Sequence, residues 1–164
     1  MTRPRAASQL DPVRLRRALG RFVSGVTVVT TAGADDDRQV HGMTANAFTS
    51  VSLRPPLVLV SIANQANLQS RLLATGRYGV SVLTDEQASL AQHFSGRQAH
   101  PDQVRFVWRD GLPLIDDALV QLTCTVVAAH PAGDHTLHVA RVDTLAELTG
   151  EPLVYHRSQL RRLG

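Results

Sequence analysis

GMTANAFTSVSLRPPLVLVSIA, residues 42–63, is the stretch from which the fold can be read. It opens at Gly42, where the missing Cβ lets the backbone bend freely or approach another group closely. Small residues follow at Thr44, Ala45 and Asn46. From Phe48 the pattern alternates with period two, which predicts a strand with Thr49, Val51 and Leu53 on one face and Phe48, Ser50 and Ser52 on the other. Arg54-Pro55-Pro56 interrupts it, because proline lacks the N–H that a central strand donates. Residues 57–62 are apolar except for Ser61 and predict a second, buried strand. Ser50 and Ser52 admit two readings. Short hydroxyls usually face water, but beside the Gly42 entry they also leave room and donors for a flat polar ligand.

Working outward, residues 1–10 are expected to form a loose arm, ahead of one domain over residues 11–164. Asp11-Pro12 reads as N-cap and first helical position. Leu15, Ala18, Leu19 and Phe22 then form the apolar stripe of a short amphipathic helix ending near Gly25. Residues 26–31 are a β-branched strand, and residues 32–37 a polar turn whose three Asp lack the spacing of a calcium loop. Downstream, Asn67 caps a helix over residues 68–74 and residues 78–83 form a strand. Thr84-Asp85-Glu86-Gln87 is a capping box that starts a helix through Leu90, Ala91 and Phe94. Residues 96–110 read as irregular and leave Trp108 unplaced. Residues 119–129 and 136–148 are strands joined by a turn at 130–134, and residues 153–156 add a last strand. Seven or so hairpin-connected strands with three short helices predict a mainly β fold, a small antiparallel barrel rather than a parallel sheet.

Composition narrows the function. A 164-residue chain with 43% hydrophobic and 19% charged residues can bury about two-thirds of its unfolded surface without disulfides or metals. All 17 basic residues are Arg, and with 14 acids the formal charge is +3. Arginines crowd both ends (Arg14, Arg16, Arg17, Arg21; Arg157, Arg161, Arg162), but no nucleic-acid motif or interleaved aromatic platform accompanies them. Cys124 is the only cysteine, which fits a reducing cytosol, and no stretch approaches an apolar membrane span or signal sequence. A cytoplasmic protein is expected. Gly-x-Gly-x-x-Gly and P-loop patterns are absent, which excludes those nucleotide sites. His135 and His138 sit three apart, on opposite faces of a strand, so no metal site is expected.

The blocks GMTANAFTSVSL, PPLVLVSI, GRYGVSVL, LAQHFS, GDHTLHVARV and EPLVYHR, in that order, span nearly the whole chain. Together they resemble the flavin reductase family of short NAD(P)H:flavin oxidoreductases, which includes the reductase components of two-component flavin-dependent monooxygenases. The resemblance implies a split β-barrel, a homodimer with flavin near the subunit interface, and FMN or FAD reduced by NADH or NADPH. It also implies a separate monooxygenase that consumes the reduced flavin. Flavin contacts are implied for Met43, Thr44, Ala45 and Asn46, for Ser50, Val51 and Ser52, and for Ser61, Ile62 and Ala63. Phe94 and Ser95 are implied at the same ligand, although Phe94 alone would read as core. Asn67 falls near the flavin phosphate, where the family often has Ser or Thr; capping alone is the other role open to it. Tyr155, with His156, falls on the nicotinamide side. In Gly133-Asp134-His135 the histidine is implied to position the nicotinamide as the catalytic residue; the alternative is a turn in which His135 is incidental. The family often has Gly at the position of Ala140. Two other classes stay open, a non-catalytic flavin-binding module and a pyridoxamine-phosphate-oxidase-like enzyme. The Gly-Asp-His triplet and the lack of a basic phosphate cluster speak against the latter.

Overall fold

A computed structural model describes residues 10–33, 39–97 and 104–164. The expected arm before Leu10, most of the turn at 32–37 and part of the irregular stretch at 96–110 lie outside the described residues.

The alternating and apolar segments form antiparallel strands. In order these are β1 (Ser24–Gly25), β2 (Thr27–Ala32), β3 (Val40–Ala45), β4 (Phe48–Leu53), β5 (Pro56–Ala63) and β6 (Arg77–Val82), then β7 (Phe106–Arg109), β8 (Leu112–Ile115), β9 (Val120–Ala132), β10 (His135–Glu147), β11 (Val154–His156) and β12 (Gln159–Arg161). Three helices intervene, α1 (Pro12–Leu19), α2 (Asn67–Thr75) and α3 (Ala88–Phe94), the last preceded by a 3-10 turn at Asp85–Gln87. Seven strands make one sheet in the order β3-β2-β6-β9-β10-β5-β4. No ladder joins its edges, so the sheet is not closed. Yet β3 and β4 are linked by Asn46 and Ala47 alone, and three peptide steps reach at most about 11 Å. The edges therefore meet at that corner, where Ser61 N–H donates to Ala47 O at 3.0 Å. Two smaller sheets, β1-β11-β12 and β7-β8, pack beside the main one.

Alternation divides the core in two. Val29, Val58, Val60, Ile62, Leu72, Tyr78 and Val80 fill one cluster, and Val26, Val28, Leu83, Ala91, Ile115 and Leu153 the other. Each Val, Leu or Ile among them contributes about 1.5–3 kcal/mol by leaving water. Cys124 lies fully buried in the first cluster, where burial pushes its thiol up to about 12 and keeps it protonated.

Several expectations are corrected. The capping box at Thr84 and Gln87 forms as read, and so does the Asp11 cap, whose carboxylate accepts from Val13 N–H at 3.0 Å. The helix after Asp11 stops at Leu19, however, and buries nothing. Its apolar stripe faces outward, with Leu19 64% and Phe22 81% exposed. Asn67 is the first residue of α2 and not its cap; Ala66 holds the cap position and has no side-chain oxygen to offer. In β4 the register slips between Ser50 and Ser52, which pair with Val58 and Leu57, leaving Val51 as a bulged residue. Strict alternation therefore breaks, and Ser50 and Ser52 do not share a face in the simple way period two requires. β5 is buried on one face only, through Val58, Val60 and Ile62. His130 to Ala132 extend β9, so the turn is only Gly133-Asp134. Trp108 belongs to a hairpin, β7–β8, turned by Asp110 and Gly111, both at positive φ.

Candidate active site

The corner of the sheet carries the site. β3 is an edge strand, so alternate N–H and C=O groups along it point away from β2 and lack ladder partners. α3 lies across this edge. Thr44 Oγ1 donates to Ala91 O at 2.7 Å, which ties helix to strand. Gly42 makes the close approach possible. A Cβ there would stand 2.7 Å from Phe94 Cε1, so the phenyl ring rests directly on strand backbone. Phe94 also packs edge-on against Phe106 with ring centroids 6.4 Å apart.

Two cavities flank this joint, one beside Thr44 and Asn46 and the other along residues 40–43 of β3. One, of about 530 Å³, is lined by Thr44, Asn46 and Ser95, expected at the flavin, and by Tyr155, expected on the nicotinamide side, together with Gln92, Arg97, Ser158 and Gln159. The other, of about 480 Å³, is lined by Met43, Asn67 and Phe94 among others. Both fall in the size range of small-ligand sites, about 300–1,000 Å³. Asn67 also borders a third cavity, of about 410 Å³, with Ser70 and Arg71. α2 has no side-chain cap; Gln69 N–H already donates to Ala66 O at 3.0 Å, which leaves the N–H groups of Asn67 and Leu68 to meet an anion, with the Arg71 guanidinium one turn on.

The remaining expected residues are placed elsewhere. Ala45 is 7% exposed, its carbonyl taking the Thr27 hydroxyl at 2.7 Å, so it offers little beyond backbone. Ile62 is fully buried in the core, so only its backbone is placed to meet a ligand. Ser61, Ile62 and Ala63 run beside Leu137, Thr136 and His135 of β10. Ser50, Val51 and Ser52 sit on the opposite edge strand, away from the residues lining the largest of these cavities. Ser52 Oγ is occupied locally, accepting from Arg54 N–H at 3.2 Å.

His135 opens β10 beside the turn. Its Nδ1 stands 2.7 Å from Asp134 Oδ1. A carboxylate only accepts, so Nδ1 carries the proton and Nε2 is left facing outward. The same contact holds the Asp134 carboxyl below its ordinary range. The turn is fastened to the end of β5, where Asn64 N–H donates to Asp134 O at 2.9 Å and Thr136 Oγ1 donates to Asn64 Oδ1 at 2.8 Å. His138, on the opposite face as the odd spacing requires, is fully buried against Gln69 Oε1 at 2.8 Å.

Sequence reasoning missed Gln92, Arg97, Ser158, Gln159, Ser70 and Arg71. Of these only Arg71 had a signal, its i+4 spacing from Asn67 on a predicted helix. Among the described residues no cluster of three His, Cys, Asp or Glu is placed to hold a metal ion.

The corner thus offers a partly apolar cavity beside an edge strand, and the start of α2, which has no side-chain cap, borders the neighbouring cavities. Residues 19–164 match the family model described as flavin reductase like domain. An NADH-dependent flavin reductase from a Rhodococcus species is 57% identical over 155 residues, covering 94% of this chain and 88% of the relative. The reductase component of 4-hydroxyphenylacetate 3-monooxygenase from Thermus thermophilus is 38% identical over 154 residues, covering 90% and 94%. Among solved structures, the NADH:FAD oxidoreductase SgcE6 of Streptomyces globisporus, in complex with NAD and FAD fragments, superposes with a TM-score of 0.86 at 38% identity, covering 96% of this chain and 98% of that one. The chain belongs to the flavin reductase family.

Proposed function

We propose that this protein is an NAD(P)H-dependent flavin reductase that reduces FMN or FAD and supplies the product to a separate flavin-dependent monooxygenase. The single observation that carries the reading is the gathering of Thr44, Asn46, Ser95 and Tyr155 around one cavity at the open edge of β3. Flavin contributes the chemistry, taking a hydride from the nicotinamide C4 at its N5. The protein contributes position and electrostatics. Outward N–H groups of β3 are aimed at the flavin N1–C2=O edge, where negative charge develops on reduction. The uncapped start of α2, with Asn67, Ser70 and Arg71, receives the flavin phosphate. Tyr155 faces the nicotinamide, and His135, its tautomer fixed by Asp134, positions that ring from the β5–β10 end.

The same reading includes a homodimer. The outward stripe of α1 and the exposed Val51 and Leu53 of β4 (50% and 88%) are apolar surface of the kind a second copy covers. A partner placed against β4 would also bring Ser50, Val51 and Ser52 to a flavin, which the single chain does not. The same reading places the protein in the cytoplasm, where its single cysteine, buried in the core, stays a thiol. Among the described residues no helix is long and apolar enough to cross a membrane. The test is steady-state oxidation of NADH and NADPH with riboflavin, FMN and FAD added in turn. Oxidation that depends on added or bound flavin is expected. Flavin retained tightly with no nicotinamide oxidation would instead mark a flavin-binding module.

A further inference from the structure

A fourth cavity, of about 480 Å³, lies between the end of α1 and the β11–β12 hairpin. Four arginines line it: Arg16, Arg17, Arg21 and Arg157. No carboxylate lines it, and none of the four has an ion-pair partner among the described residues. Capping the helix end does not explain them. The carbonyls of Arg16, Ala18, Leu19 and Gly20 already accept backbone N–H groups, the last from Arg157 at 2.7 Å. Helix spacing explains how they gather: Val13, Arg16, Arg17 and Gly20 fall at i, i+3, i+4 and i+7, so α1 turns its arginine face to the cavity and its apolar stripe away. The fourth arginine is held in the two-residue turn of the β11–β12 hairpin, where Arg157 and Ser158 both adopt the left-handed backbone angles (φ 51° and 62°) that such a turn requires. Ser158 lines this cavity and also the one that holds Tyr155, so the two adjoin.

We propose that this arginine-lined pocket binds the phosphates of the nicotinamide dinucleotide whose ring lies beside Tyr155. The inference rests on the reading above, which sends the flavin phosphate to α2, on another cavity. Four unpaired guanidinium groups repel one another until an anion joins them, and arginine suits phosphate oxygens because its donors form a planar fork. The pocket therefore serves the half of the reductant that does no chemistry. Its contacts are the same before and during hydride transfer, so they set KM and leave kcat alone.

The test is an Arg17→Gln/Arg157→Gln variant, with Arg14→Gln, also on α1 but outside the lining, as the control for net charge. With riboflavin saturating, the double variant is expected to raise the KM for NADH about ten-fold at unchanged kcat, the size appropriate to a pair of exposed charge-assisted contacts. With 1-benzyl-1,4-dihydronicotinamide, which carries no phosphate, KM should stay within about two-fold. Arg17→Lys/Arg157→Lys should recover part of the loss. An unchanged KM for NADH, an equal rise with both hydride donors, or an equal rise in Arg14→Gln would overturn the proposal. So would a loss that follows FMN or FAD rather than NADH, because it would assign the pocket to the flavin. Calorimetric titration with ADP-ribose separates this inference from the activity itself. Binding by the wild type that the double variant loses upholds the pocket even if no flavin is reduced, and no binding to an active enzyme overturns the pocket alone.

Discussion

The two ends of the candidate site are built in opposite ways. At the β3–α3 corner a phenyl ring lies on glycine backbone and a threonine hydroxyl bonds a helix carbonyl, with both core clusters behind them. At the Gly133-Asp134 turn the candidate side chain, His135, is exposed and held by one carboxylate, itself 95% exposed. The corner is fixed by close packing, which responds to a single methyl group; the turn is fixed by local hydrogen bonds, which do not depend on the core. Substitutions at the corner should therefore appear first as lost stability. Substitutions at the turn should leave the fold alone and appear as kinetics.

The largest effect tests the corner. Gly42→Ala places a methyl within 3 Å of the Phe94 ring, and such overpacking costs about 1–3 kcal/mol. Phe94→Ala removes the obstacle, so Gly42→Ala made in that background should cost less than about 0.5 kcal/mol. Denaturant midpoints of the two single variants and the double give the coupling directly. Equal costs in both backgrounds would mean that the ring contact does not fix this corner, and the comparison would fail at its stronger end.

His138 carries the packed logic into the strand that bears His135. It is fully buried, its Nε2–H bonded to Gln69 of α2, and its Nδ1 has no partner among the described residues. Burial lowers its pKa below the ordinary 6.5, because a charged ring there would be desolvated. The unfolded chain then takes up a proton below about pH 6.5 that the native state refuses. This residue's stabilising contribution is whole above that pH and is lost as pH falls toward the depressed native value. The loss should approach about 1.4 kcal/mol per pH unit, the limit for one proton. Urea unfolding of wild type and His138→Leu between pH 5 and pH 8 isolates it, since the other histidines cancel in the difference. Parallel curves would show that the ring is protonated inside the fold.

What was legible in the sequence follows the same division. Local signals worked: the Thr84–Gln87 capping box, the Asp11 cap and the opposed faces of His135 and His138 all depend on chain neighbours. The β7–β8 hairpin was also written locally, as Asp110-Gly111 between apolar residues, but the surrounding charges hid its alternation. Features set by distant contacts were not legible. Gly42 was recognised as a close-approach residue, but nothing near it in sequence says that the approaching group is Phe94, fifty-two positions on. The outward stripe of α1 was unreadable because periodicity gives a face and not its direction. The Val51 bulge moves Ser52 relative to Ser50 and depends on pairing with β5, which alternation alone cannot reveal.

At the turn, His135→Ala should leave thermal stability within about 0.5 kcal/mol of wild type, as expected of an exposed side chain outside the core. Losing one positioning hydrogen bond and some packing costs about 1–2 kcal/mol of transition-state stabilisation, or roughly five- to thirty-fold in kcat/KM for NAD(P)H. Flavin affinity should not change. Wild-type kcat/KM in this variant would leave the histidine an incidental turn residue, and the kinetic half of the comparison would have no carrier.

The smallest effect concerns the carboxylate behind that histidine. The Asp134 carboxylate meets the ring through Oδ1, 2.7 Å from Nδ1, and does not touch the nicotinamide in the proposed reading. Asp134→Asn keeps an oxygen that accepts the Nδ1–H but removes the charge, and the amide can turn to present its donors instead. The ring loses some orientation, not its presence, so kcat/KM should fall only about two- to five-fold, less than for His135→Ala. Because pairing lowers the Asp134 carboxyl from an ordinary value of 3.8, it stays charged across the working range. The ratio of wild-type to Asp134→Asn activity should therefore be flat from about pH 5.5 to pH 8. A ratio that varied through neutral pH would mean that the carboxylate acts by stabilising a protonated imidazole. A fall as deep as that of His135→Ala would mean that the two side chains act as one unit. Only the shallow, flat outcome fits a turn in which the carboxylate orients and the histidine positions.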